Sequence, residues 1–184
     1  MKLSHCLQLA AGAAVLLLTL NAANSADTAK AMLKDQKGKD VGTVEFTQTP
    51  AGVLLRLALK GLPAGEHAFH VHEAGKCEAP FKSAGGHFNP GKHKHGVTAG
   101  TAHAGDMPNL HVPQSGELMV EVLNASITLD KGKPNSVFHD GGTAIIIHAG
   151  KDDYKTDPDG AAGERIACGV IEQGGGATVG GPRQ

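Results

Sequence analysis

The chain has 184 residues and a formal net charge of −1, and it combines eleven histidines with five Phe, one Tyr and no Trp. That length suits one domain with a full core rather than two. The near-zero charge excludes bulk attraction to nucleic acid or to an anionic membrane, and the 26 glycines point to a loop-rich fold around an aliphatic core.

The opening stretch, MKLSHCLQLAAGAAVLLLTLNAANSAD, has Lys2 near its start, an apolar run from about Leu9 to Leu20, and small residues at Ala23, Ser25 and Ala26. This is the pattern of a secretory signal peptide whose apolar run is too short to span a bilayer comfortably. The sequence therefore predicts a leader over residues 1–25, cleaved between about 23 and 26, a mature domain over 26–173 and a flexible glycine-rich tail over 174–184. Export, whether to a periplasm or out of the cell, follows, with no stable membrane insertion after processing. Cys6 lies in the leader, which leaves Cys77 and Cys168. Two cysteines in an exported chain read as one disulfide.

Beyond the leader, period-two patterning dominates. VGTVEFTQT begins at Val41, and GVLLRLALKGLPAG alternates Val53, Leu55, Leu57 and Leu59 with Leu54, Arg56, Ala58 and Lys60. HAFHVHEAG, ELMVEVLN, TAIIIHAG and ERIACGVIEQ are further strand candidates bounded by Gly, Pro, Asn or Asp. An all-β, antiparallel sandwich or barrel is expected. In HAFHVHEAG, Phe69 and Val71 share one strand face while His70 and His72 share the other. Such an H-x-H is either a bidentate metal clamp or a pair of half-exposed histidines over a buried face.

From about Ala74 to Gly116 no periodicity holds, and a loop of that length inside a compact domain calls for a reason. It carries Cys77 and the histidines His87, His93, His95, His103 and His111. A second irregular segment, GKDDYKTDPDGAAG, separates the last two strand candidates.

In chain order FHVHE, GGHFNP, KHG, HAGD, IIIHAG and GERIACGVI resemble the motifs of the copper–zinc superoxide dismutases, and the resemblance covers nearly the whole mature chain. It implies a Greek-key β-barrel of about eight strands with two long functional loops. It implies copper and zinc as cofactors, with copper on His70, His72, His87 and His148, zinc on His87, His95, His103 and Asp106, and His87 bridging them. Four imidazoles suit Cu(II), and three imidazoles with one carboxylate suit tetrahedral zinc. By the same resemblance Asp152 accepts hydrogen bonds from His70 and His95, fixing both rings. Arg165 orients the superoxide substrate beside copper, acting with His87 in catalysis, and Cys77 pairs with Cys168.

His67, His93, His111 and His139 match no ligand motif and are expected to be structural or solvent-exposed, and Asp153, Asp157 and Asp159 to form a solvated acidic loop. Lys76, Lys82, Lys151 and Lys155 are candidates for steering the anion. The span from Cys77 to His87 resembles that of bacterial secreted members, among which dimer surfaces differ, so the resemblance leaves a homodimer open. A copper-storage protein or a β-sandwich stapled by metal would use the same ligands, but neither needs an arginine at the copper mouth.

Overall fold

The computed structural model describes residues 28–98 and 101–174. The expected leader over 1–25 and, past Gly174, the expected tail lie outside the described residues.

Strands β1 (Thr28–Asp35), β2 (Asp40–Thr49) and β3 (Gly52–Leu59) form a meander. Next come β4 (Gly65–His67), β5 (Phe69–His72), β6 (Leu110–Val112), β7 (Leu118–Asn124), β8 (Ala144–His148), β9 (Arg165–Val170) and β10 (Glu172–Gln173). All pairings are antiparallel: the main sheet runs β5-β8-β9-β1-β2-β3-β7, with β10 beside β1, while β4 and β6 pair separately. Because β3 is followed in the sheet by β7, the chain crosses from β3 to β4 and returns later, which is the Greek-key connection. Only Ala68 separates β4 from β5, so one extended segment pairs with β6 at one end and β8 at the other.

The alternation in β3 buries Val53, Leu55, Leu57 and Leu59 and turns Arg56 and Ala58 outward. Val44, Phe46, Phe69, Val71, Ile145 and Ile147 join the same core. Burying each large aliphatic side chain contributes about 1.5–3 kcal/mol. Strand β8 is buried on both faces, which explains its uninterrupted Ile145–Ile147 run: Ile145 and Ile147 enter the main core, and Ile146 packs with Phe81, Ala84, Ala144 and Cys168 in a second cluster. The histidines His70 and His72 pair with Ile146 and Ala144, on the face of β5 away from the main core.

Two elements depart from the sequence reading. TAKAMLKD forms β1, with Ala29, Ala31 and Leu33 inward, although alanines in a lysine-rich run give little strand signal. The region expected to be irregular from 74 to 116 contains a short 3-10 helix (Lys82–Ala84) and β6, paired with β4.

Candidate metal centre

Three local devices assemble the site. First, the edge of β5 is extended by loop backbone: the Phe88 amide donates to the Val71 carbonyl at 2.8 Å, and the Val71 amide donates to the Gly105 carbonyl at 3.0 Å. This sets His87 opposite His72 and brings the 103–106 turn alongside. A Cβ on Gly105 would overlap the Val71 carbonyl, so the close approach requires glycine there. Second, an irregularity in the β8–β9 register sets His148 opposite Arg165 rather than Ile166, as a bulge re-aims a side chain. Third, the Cys77–Cys168 disulfide, with Cα atoms 5.6 Å apart, ties the loop after β5 to β9.

The outcome is two groups of four ligand-type side chains. The ligand atoms of His70, His72, His87 and His148 lie within 4.8 Å of one another, as do those of His87, His95, His103 and Asp106. His87 belongs to both. His70 and His72 are fully buried, which rules out the half-exposed alternative for the H-x-H pair.

Four of the imidazoles are held through one nitrogen and lack a hydrogen-bond partner at the other, although His95 Nδ1 lies 3.1 Å from Asp106 Oδ2. His70 Nε2 donates to Asp152 Oδ2 at 2.8 Å, His72 Nδ1 to the Gly85 carbonyl at 3.0 Å, His148 Nδ1 to the Gly163 carbonyl at 3.2 Å, and His95 Nε2 to Asp152 Oδ1 at 2.9 Å. Among the described residues seven buried side-chain nitrogens lack a hydrogen-bond partner, and six are His70 Nδ1, His72 Nε2, His87 Nε2, His148 Nε2, His95 Nδ1 and His103 Nδ1. An unsatisfied buried polar group costs about 1–3 kcal/mol, so six gathered at two points are unexplained by folding alone. They are explained by cations. The first group offers four imidazole nitrogens and the second three with the Asp106 carboxylate, donor sets suited to copper and to zinc.

Burial lowers the His70 pKa to about 4 against the opposing hydrogen bond to Asp152, and it lowers His148 to about 3, helped by the His70 charge. Burial also holds His72 well below the ordinary value. Burial opposes charge on His95, but the hydrogen bond to Asp152 and the Asp106 charge prevail and raise it. For Asp152 the hydrogen bonds from His70 and His95 outweigh burial and hold the carboxylate far below its usual range.

The shared mouth is a concavity lined by His72, His87 and His148 together with Arg165, Glu73 and Asp159. The Arg165 guanidinium donates to the Phe81 and Gly85 carbonyls, each at 2.7 Å. None of Lys76, Lys82, Lys151 or Lys155 lines this mouth; Lys82 lines an adjoining concavity with Arg165, and Lys151 pairs with Glu66 at 3.3 Å. His93 is exposed beside the mouth and belongs to neither group. Buried His67 links the His148 and Pro63 carbonyls, His111 is exposed near Glu66, and His139 stacks on Phe88. Asp157 is not merely solvated, because its Oδ1 accepts the His95 amide at 2.7 Å.

A family profile described as copper/zinc superoxide dismutase (SODC) matches residues 41–171. The chain belongs to the copper/zinc superoxide dismutase family. Superoxide dismutase (Cu-Zn) 1 of Aquifex aeolicus is 56% identical over 141 residues, covering 75% of this chain and 83% of that protein. The Caulobacter vibrioides superoxide dismutase (Cu-Zn) is 43% identical over 150 residues, covering 79% and 86%. Among solved structures, a SOD-like protein from Bacillus subtilis has a TM-score of 0.74 at 36% identity over 77% of this chain and 96% of that one. Cu/Zn superoxide dismutase from Brucella abortus has a TM-score of 0.65 at 31% identity, covering 79% and 99%. The Bacillus subtilis neighbour is named only as SOD-like, so each position is read on this chain itself, where both groups hold four ligand-type side chains.

The sequence reading passed over Asn109, Tyr154 and Gly160. Asn109 grips the Asp152 backbone, Tyr154 donates its amide to Asp152 Oδ1, and a Cβ on Gly160 would overlap that same oxygen. The one signal was compositional: Tyr154 is the sole tyrosine of an aromatic-poor chain.

Proposed function

We propose that the chain is a superoxide dismutase converting two superoxide anions and two protons into dioxygen and hydrogen peroxide, with copper on His70, His72, His87 and His148 and zinc on His87, His95, His103 and Asp106. The observation that carries the reading is the convergence of six unpartnered buried imidazole nitrogens on two points that share one ring. Copper held there would supply one-electron redox chemistry toward superoxide, and zinc would supply a fixed positive charge.

His87 lines the mouth, and its Nδ1 lies 2.9 Å from Asp106 Oδ1. Its Nε2 belongs to the other group and can hold a proton whenever it is not coordinated, which places a proton where the product needs one. Arg165 offers its remaining N–H donors to a small anion, and the two carbonyls that hold it keep the guanidinium in place before substrate arrives. Asp152 fixes the tautomer of one ring from each group, so that His70 turns Nδ1 and His95 turns Nδ1 toward their ions. A storage protein would not need an arginine held beside the copper ligands, and this favours turnover.

Export to a bacterial periplasm belongs to the same reading. It is supported by the leader-like start, by the bacterial sources of the relatives and by the disulfide, a bond that oxidising compartments preserve. Metal content of the purified mature protein, measured beside dismutation activity, tests the whole. About one copper and one zinc per chain with activity is expected, and zinc alone with no activity restored by copper overturns it.

A further inference from the structure

Asp152, itself a member of neither metal group, is hydrogen-bonded to both, through His70 on one oxygen and His95 on the other. A carboxylate can act as such a link only if its backbone is itself immobile. Here it sits at the start of an irregular segment, among residues assigned to no strand. What holds it is a closed circuit. Asn109 Oδ1 accepts the Asp152 amide at 2.8 Å, and Asn109 Nδ2 donates to the Asp152 carbonyl at 2.9 Å. The Tyr154 amide donates to Asp152 Oδ1 at 2.6 Å, and the Tyr154 hydroxyl accepts the Asn109 amide at 2.7 Å. Tyr154 adopts a left-handed backbone with φ of 62°, uncommon for a bulky residue, which lets its amide face Asp152 while its hydroxyl reaches Asn109.

We propose that Asn109 and Tyr154 are positioning residues that couple retention of the two metals by fixing Asp152. The inference rests on the ligand assignment proposed above. A second asparagine provides an internal contrast. Asn89 grips the His93 backbone in the same two-handed way, at 2.8 and 3.0 Å, and of the ligand rings it is that of His103 that interacts with the His93 backbone. Loss of the Asn109 circuit frees one ring from each group. Loss of the Asn89 grip frees a ring of the zinc group only.

The test uses the full protein loaded with copper and zinc, challenged at neutral pH with excess chelator, with both metals followed in time. Outer-sphere partners of metal ligands are typically worth 10–100-fold in metal affinity. Tyr154→Phe, which removes one hydroxyl, and Asn109→Ala should therefore each release both metals about tenfold faster. They should also shift the Cu(II) electron paramagnetic resonance spectrum, because His70 is no longer held. Asn89→Ala should hasten zinc loss alone and leave that spectrum as in wild type. Wild-type release of both metals from Tyr154→Phe and Asn109→Ala overturns the proposal, as does faster loss of one metal only, or faster loss of both with an unchanged copper spectrum. A wild type that never takes up both metals overturns the ligand assignment instead, and this inference falls with it.

Discussion

Arg165 and His72 share one acceptor: the Gly85 carbonyl lies 2.7 Å from Arg165 Nη2 and 3.0 Å from His72 Nδ1. The charge expected to meet superoxide and a ring expected to hold copper are thus referenced to the same peptide. Arg165→Ala should lower the rate per bound copper by about tenfold, roughly 1.4 kcal/mol by transition-state arithmetic. Arg165→Glu should be slower still. Arg165→Lys should fall between wild type and Arg165→Ala, since an ammonium keeps the charge but has no fork to span the Phe81 and Gly85 carbonyls. Screening sets in over about 8–10 Å at ordinary salt, so the wild type should slow as ionic strength rises and Arg165→Ala should slow less. Stopped-flow rates on metal-replete variants across a salt series decide it, and four identical salt slopes would reduce Arg165 to a surface residue.

The two groups overlap only at His87, which makes metal loss separable. His72→Ala and His148→Ala should lose most copper and all activity while zinc stays, and His103→Ala should lose zinc first. His93→Ala should keep both, since that ring stands in neither group. Gly160→Ala should loosen both together, because φ of 66° disfavours any side chain there and the new Cβ would displace the Asp152 carboxylate. Elemental analysis after dialysis reads all five; copper and zinc falling in parallel in His72→Ala would contradict the separation.

The Cys77–Cys168 bridge spans a sequence separation of 91 residues, for which the chain-entropy view gives a contribution of about 4–5 kcal/mol. It also has a functional consequence. The loop that begins at Cys77 supplies both carbonyls that hold Arg165, which stands three positions before Cys168. A Cys77→Ala/Cys168→Ala variant should therefore lose denaturant stability and also turn over more slowly per bound copper. Lower stability with an unchanged rate per copper would show that the bridge acts on folding alone.

How much of this was visible in the chain follows the range of the interactions. The alternation of Val53 to Leu59, the doubly buried Ile145–Ile147 run and the H-x-H parity are local periodicities, and the structure follows them. The ordered motifs placed His87, His95, His103 and Asp106 close together because each lies in a short, distinctive string. β1 was illegible because Ala29 and Ala31 bury too little side chain to mark a face. Asn109 and Asp157 were illegible for another reason. Their partners are backbone groups 43 and 62 residues away, and no spacing rule reports a side chain that grips distant backbone.

The buried imidazoles also set a pH dependence for the metal-free protein. An unfolded histidine titrates near 6.5, whereas burial puts folded His70 at about 4, His148 at about 3 and His72 well below the ordinary value. Between pH 6.5 and about 4 the unfolded chain therefore binds protons that the folded chain refuses, and stability must rise with pH across that window. The contribution is fully present above pH 6.5 and is lost as the pH falls below it. His95, whose pKa is raised, acts in the opposite sense as one group against several. Asp152 and Asp106, both lowered, contribute above the ordinary carboxylate range and lose that contribution only in stronger acid. Denaturant midpoints of the metal-free protein should fall steadily from neutral pH toward pH 4. His148→Gln, with one depressed imidazole fewer, should fall less steeply. Metals bind only deprotonated nitrogens, so the loaded protein should hold its midpoint until acid releases the ions and then fall more abruptly. A midpoint for the metal-free wild type that stays level between neutral pH and about 4.5 would mean that these rings are protonated inside the fold, and the picture of neutral, buried, metal-ready imidazoles would fail with it.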